Sequence, residues 1–227
     1  MKVRLIIPYL VALSLFTSCI SKPFEGIRGE GYVEYDITYL RNELDGISEY
    51  LLPKKMILTF SPRFTKNTIE GYAGIINIQN ITDLKKDTVT TVLKFFNYKY
   101  YYTSSPKETP CCFEIMEDPV IEFLEDSILI AGIVSYKAIV NFPSSNKSHE
   151  VFYSKNVKAD IINKNTAYHE IPGILMKFEM DMGNLTMIFN ATKVETYSIK
   201  DNEFQIPSGY EKISREKMVK IISELLE

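Results

Sequence analysis

Tryptophan is absent from the 227 residues, and cysteine occurs three times and histidine twice. Each scarcity narrows the chemistry. His149 and His169 lie outside any H-E-x-x-H or closely spaced ligand set, so their spacing predicts no metal centre. No G-x-S-x-G elbow, no G-x-x-x-x-G-K loop and no G-x-G-x-x-G turn occurs. Neighbouring carboxylates such as Glu117 with Asp118 and Glu125 with Asp126 are present, but acid–base pairs work across a cleft rather than along one loop. The sequence therefore predicts no catalytic residue, no metal and no cofactor. A basic excess is missing too. The formal net charge is −3, which leaves no electrostatic drive toward nucleic acid. No apolar run approaches the roughly 20 residues of a membrane-spanning helix.

What is present begins at the N-terminus. Lys2 and Arg4 precede an uncharged, mainly apolar stretch over residues 5–16, and Thr17, Ser18 and Cys19 follow. Basic, apolar, then small is the order of a secretory signal peptide. The run Phe16-Thr17-Ser18-Cys19 resembles a bacterial lipobox, in which the Cys becomes the lipidated first residue of the mature chain. Phe16 stands where Leu is usual. A lipidated Cys19 holds a chain to a membrane without a spanning segment. The expected division is a signal peptide over residues 1–18, a lipidated Cys and tether over 19–29, and a single β-rich domain over 30–227. Cleavage removes two basic residues and no acidic one, taking the formal charge from −3 to −5. The expected location is the cell envelope, as a lipoprotein of the outer membrane. That leaves Cys111 and Cys112 in an oxidising compartment. Adjacent cysteines close only a small, strained ring. The pair reads as a disulfide or as two thiols on a loop after Pro110.

Strand signals fill most of the rest. Val33, Tyr35, Ile37 and Tyr39 alternate with Glu34, Asp36 and Thr38, and Met56, Leu58 and Phe60 alternate with Lys55 and Thr59. Further strands are predicted over 64–70, 88–96, 99–103, 120–124, 133–142, 150–154, 173–182 and 184–195, with tight turns at Asn97-Tyr98 and Gly183. Residues 73–80 are apolar but short, so period alone does not separate helix from strand. Ser214 caps a predicted helix in which Met218, Ile221, Ile222 and Leu225 form one stripe. The fold class is mainly β (α+β): one curved antiparallel sheet or half-barrel with a C-terminal amphipathic helix packed on it. Tyr98, Tyr100 and Tyr102 share a strand face. They are either strand formers at the edge of the core or one wall of an amphipathic ligand pocket.

Residues 170–175 read EIPGIL. With IAGIVSYKAIV at 130–140, VFYSKNV at 151–157, NATKVE at 190–195 and FQIPSGYEKIS at 204–214, the chain resembles the GLPGLI family of Bacteroidota envelope proteins. Pro172 and Gly173 match the centre of the family motif, while Glu170 departs from its first Gly. The resemblance implies no catalytic residue. It implies a shape similar to the half-barrels of periplasmic lipoprotein carriers, in which a sheet wraps around helices and holds acyl chains. The expected function is a non-enzymatic envelope lipoprotein that binds a lipid-like or other amphipathic ligand. The alternative is a structural or protein-interaction module docked on another envelope protein.

Overall fold

The computed structural model describes residues 29–44, 48–105, 108, 119–156 and 162–226. The expected signal peptide, Cys19, the tether up to residue 28, and Cys111 and Cys112 lie outside the described residues. Among those described, twelve strands make one open sheet and one helix follows them, α1 (Arg215–Leu226).

The chain builds the sheet as two meanders. β1 (Gly31–Asn42), β2 (Lys55–Phe60), β3 (Phe64–Glu70), β4 (Ile76–Asp83), β5 (Thr88–Phe95) and β6 (Tyr98–Thr103) pair in sequence order. β7 (Val120–Ile130), β8 (Ile133–Phe142), β9 (Lys147–Ser154), β10 (Ile174–Met182) and β11 (Leu185–Glu195) do the same. β1 and β11 then join the meanders antiparallel, with Tyr35 opposite Ala191 and Ile37 opposite Phe189. β12 (Glu211–Lys212) adds a short parallel strand beside β6. Ala131 and Gly132, with φ of 49° and 76°, form the primed two-residue turn that matches the twist of β7 and β8.

The sheet is curved. Three strands lie between β7 and β11, so a flat sheet would hold the two about 19 Å apart. Their Cα atoms instead approach within 8 Å. The concave face carries the main core, including Val33, Tyr35, Met56, Leu58, Phe178 and Phe189. The alternation that the sequence shows in β1 and β2 is the alternation of burial along those strands.

The C-terminal stretch wraps the β6 edge. Val92 and Leu93 point to opposite faces of β5. Val92 packs with Ile199 and Phe204, whereas Leu93 packs with Met218 and Ile222 of α1. Leu93, Ile78, Ile69, Met56 and Tyr35 are successive cross-strand partners, so α1 covers the same face as the main core. Ser214 caps the helix as expected: its Oγ accepts from the Lys217 amide at 3.3 Å.

Four boundaries differ from the sequence reading. The ambiguous 73–80 stretch is a 3-10 turn (Tyr72–Gly74) followed by β4. The β5–β6 turn is Phe96-Asn97, one residue early, because Tyr98 pairs with Phe95. β7 runs on to Ile130 through an irregularity between Phe123 and Ser127. β9 begins at Lys147, three residues ahead of the strand expected over 150–154, because Lys147 pairs with Phe142.

Candidate functional site

The segment over 162–171 crosses the concave face between β9 and β10. Ile162, Tyr168 and Ile171 are buried in the main core. Asn163 pins the segment by donating from Nδ2 to the carbonyls of Ile171 and Gly173, each at 2.9 Å. Between this segment and the sheet lies a cleft of about 100 Å³. Tyr35, Met56, Leu58 and Phe178 form its apolar wall, and Asn67 and Asn80 contribute amides. An ordinary ligand site offers roughly 300 Å³ or more. The concave face is therefore filled mainly by the protein's own side chains.

A polar cluster adjoins the cleft where β9 and β10 part. The ladder between these strands registers only from Ile174 to Lys177. Beyond it, the Tyr168 hydroxyl donates to the Glu179 carbonyl and stands 2.8 Å from His149 Nδ1. His149 is 3% exposed, and its Nε2 faces Glu179 Oε1 at 3.4 Å. Asp181 accepts from Lys147 Nζ at 2.5 Å and from Thr186 Oγ1 at 2.6 Å, and Arg41 lies 4.0 Å away. Ligand atoms of His149, Glu179 and Asp181 all fall within 4.8 Å of one another. The cluster opens to solvent through a cavity of about 320 Å³.

Burial pushes the His149 imidazole below its ordinary pKa of 6.5; Glu179 and Asp181 oppose that shift and Lys147 adds to it. Burial alone would raise Asp181, but Lys147 and Thr186 hold it below the usual carboxylate range. Burial keeps the Tyr168 hydroxyl protonated far above the ordinary range.

The residues singled out in the sequence lie elsewhere. Tyr100 and Tyr102 pack beneath α1, and Lys217 Nζ stands 5.0 Å from the centre of the Tyr100 ring. Tyr102 donates to Glu108, and burial with that carboxylate raises its pKa to about 12. Tyr98 is exposed and stacks on Tyr100 at 6.2 Å. The three tyrosines thus do not line the cleft. Pro172 and Gly173 sit at the entry to β10, and Gly173 has φ of +76°. Sequence reasoning treated His149 alone and missed its partners. The available signal was Glu179-x-Asp181 within a strand, since residues two apart share a face.

A second surface feature is the β7 edge. β7 pairs with β8 on one side only, and it is the long open edge of the sheet among the described residues. Val120, Phe123, Ile128 and Leu129 of β7 are exposed, Leu129 at 71%, and so are Val134 and Tyr136 of β8. Among the described residues, no helix is long and apolar enough to cross a membrane.

No protein-family model matches the chain, and no curated protein matches it. Among solved structures it is similar to PNGF-II in its C2 space group, with a TM-score of 0.51 and 15% identity. That match covers 85% of this chain and 32% of PNGF-II, so this chain spans about a third of the length of its neighbour. It overlaps less well with a β-barrel-like protein of the domain of unknown function DUF1849 from Brucella abortus. There the TM-score is 0.33 at 13% identity, over 76% of this chain and 100% of the other. At these identities, the likeness to PNGF-II is one of fold alone.

Proposed function

We propose that this chain is a membrane-anchored, non-enzymatic lipoprotein of the bacterial cell envelope, of the GLPGLI-like family, that acts as a protein-interaction module. Its sheet is a half-barrel with α1 seated inside, and Cys19 carries the lipid. The observation that carries the reading is the set of exposed apolar side chains on both faces of β7 and on β8, beside a strand edge with no neighbour among the described residues. An extended segment of another envelope protein adds to such an edge by main-chain hydrogen bonds, and its own alternating side chains bury against the apolar residues exposed on either face. Glu122, Glu125 and Asp126 on β7 favour a basic segment.

A photo-crosslinking residue placed at Leu129 in cells is expected to capture one discrete protein. Val120→Glu with Ile128→Glu should abolish capture while leaving stability within about 0.5 kcal/mol, because both side chains are exposed. Absence of a discrete adduct refutes the edge reading.

The cleft supports a second reading, a small amphipathic ligand held between the apolar wall and the Asn67 and Asn80 amides. A full acyl chain needs more space than about 100 Å³, so lipid binding requires segment 162–171 to move. Native mass spectrometry of protein purified from membranes separates the two: a retained ligand mass favours the cleft.

A further inference from the structure

We propose that His149, Glu179 and Asp181 form a binding site for a divalent transition-metal ion of the zinc class, at the point where β9 and β10 part.

The argument starts with one proton. The Tyr168 hydroxyl has a single hydrogen, and the Glu179 carbonyl can only accept, so that hydrogen is committed there. His149 Nδ1, 2.8 Å from the same hydroxyl oxygen, must then be the donor. This tautomer, assigned from the hydrogen-bond network, leaves a lone pair on Nε2 of the neutral ring. That lone pair faces Glu179 Oε1 at 3.4 Å, with an Asp181 oxygen inside the same 4.8 Å group. Lone pair against carboxylate is an unfavourable contact for the neutral ring, and a cation among the three atoms reverses its sign.

The surroundings fit that occupant. Metal-bound imidazoles donate their second N–H to a fixed oxygen, which is what Tyr168 supplies. One nitrogen and two carboxylates suit zinc and its neighbours. Thr186 orients the Asp181 carboxylate from 2.6 Å. His149 is buried, which fixes the ring, and the cavity of about 320 Å³ gives an ion a route in from solvent. Lys147 sets the limit: its ammonium bonds Asp181 at 2.5 Å, so an incoming ion must displace it. The site is thus built for exchange with a tethered ammonium, and its affinity is moderated by that competitor.

The test uses the full chain purified in detergent, stripped with chelator, with its thiols alkylated so that Cys111 and Cys112 cannot compete. Calorimetric titration with zinc chloride is expected to give one ion per chain in the micromolar range. His149→Ala and Glu179→Gln should each weaken it at least about ten-fold. Lys147→Met should tighten it by removing the competitor, and zinc should raise the melting temperature of the parent but not of Glu179→Gln. If His149→Ala does not fold, Glu179→Gln carries the test, because its side chain is partly exposed. No binding at micromolar zinc, or binding unchanged by Glu179→Gln, overturns the proposal; so does weaker binding in Lys147→Met. A failure here leaves the β7 crosslink untouched, since the two sites share no residue.

Discussion

At the residue scale, Gly173 shows how one side chain can be excluded by two causes at once. Its φ of +76° costs an L-residue about 1 kcal/mol or more, and a Cβ there would stand 2.1 Å from the Ser154 carbonyl oxygen. Gly132 has the same φ but no atom within 4 Å of its would-be Cβ. Gly173→Ala is therefore expected to cost at least about 3 kcal/mol, and Gly132→Ala only about 1 kcal/mol. Urea unfolding of the two variants checks this, and equal losses would mean that the Ser154 carbonyl yields to an added methyl at little cost. Pro172-Gly173 was legible as the centre of a motif. The reason only Gly serves was not, because the obstructing carbonyl belongs to β9, and only the β9–β10 register brings it there. His149 is the same lesson with the opposite outcome. Its neighbours in sequence, Ser148 and Glu150, say nothing of Glu179 or Asp181 some thirty residues away.

At the scale of elements, α1 is the best-read part of the chain. Its cap and its stripe predicted a packing face, and Met218 and Ile222 are buried on Leu93, Tyr100 and Tyr102. Met218→Ala is expected to cost about 2–4 kcal/mol, because Met218 is fully buried and the sheet beneath it cannot collapse to fill the gap. Thermal unfolding followed by circular dichroism measures it, and a loss below about 1 kcal/mol would show that α1 does not seal this face. The same packing gives Tyr100 and Tyr102 their occupation. A pocket and a helix seat look alike in sequence, since both ask for apolar rings on one strand face. Strands with one covered face, such as β1 and β2, alternate cleanly. β4 did not, because its last four residues are buried on both faces once the 199–210 stretch lies across one of them. β7 was read short because Glu125-Asp126-Ser127 interrupts its pattern where its pairing with β8 slips.

At the scale of the whole molecule, one pairing decides the architecture. Each meander closes through neighbouring hairpins, but β1 meets β11 across some 150 residues of chain. Contacts of that separation slow folding, since loop closure must come before the pairing stabilises it. Amides of β1 and β11 are expected to exchange hydrogen only through global unfolding, and those of β7 through local opening, because β7 has one neighbour and β1 has two. Exchange measured by mass spectrometry at peptide resolution tests this order, and β1 exchanging faster than β7 would contradict it. Local pattern sufficed for the strand-rich class, for the helix and its buried stripe, and for the scarcity of catalytic motifs, because hydrophobic period and capping are local properties of the chain. The tertiary structure alone decided that β1 joins β11, that segment 162–171 fills the concave face, and that His149 meets Glu179 and Asp181. Those contacts depend on curvature and register, which arise only when distant strands share one sheet.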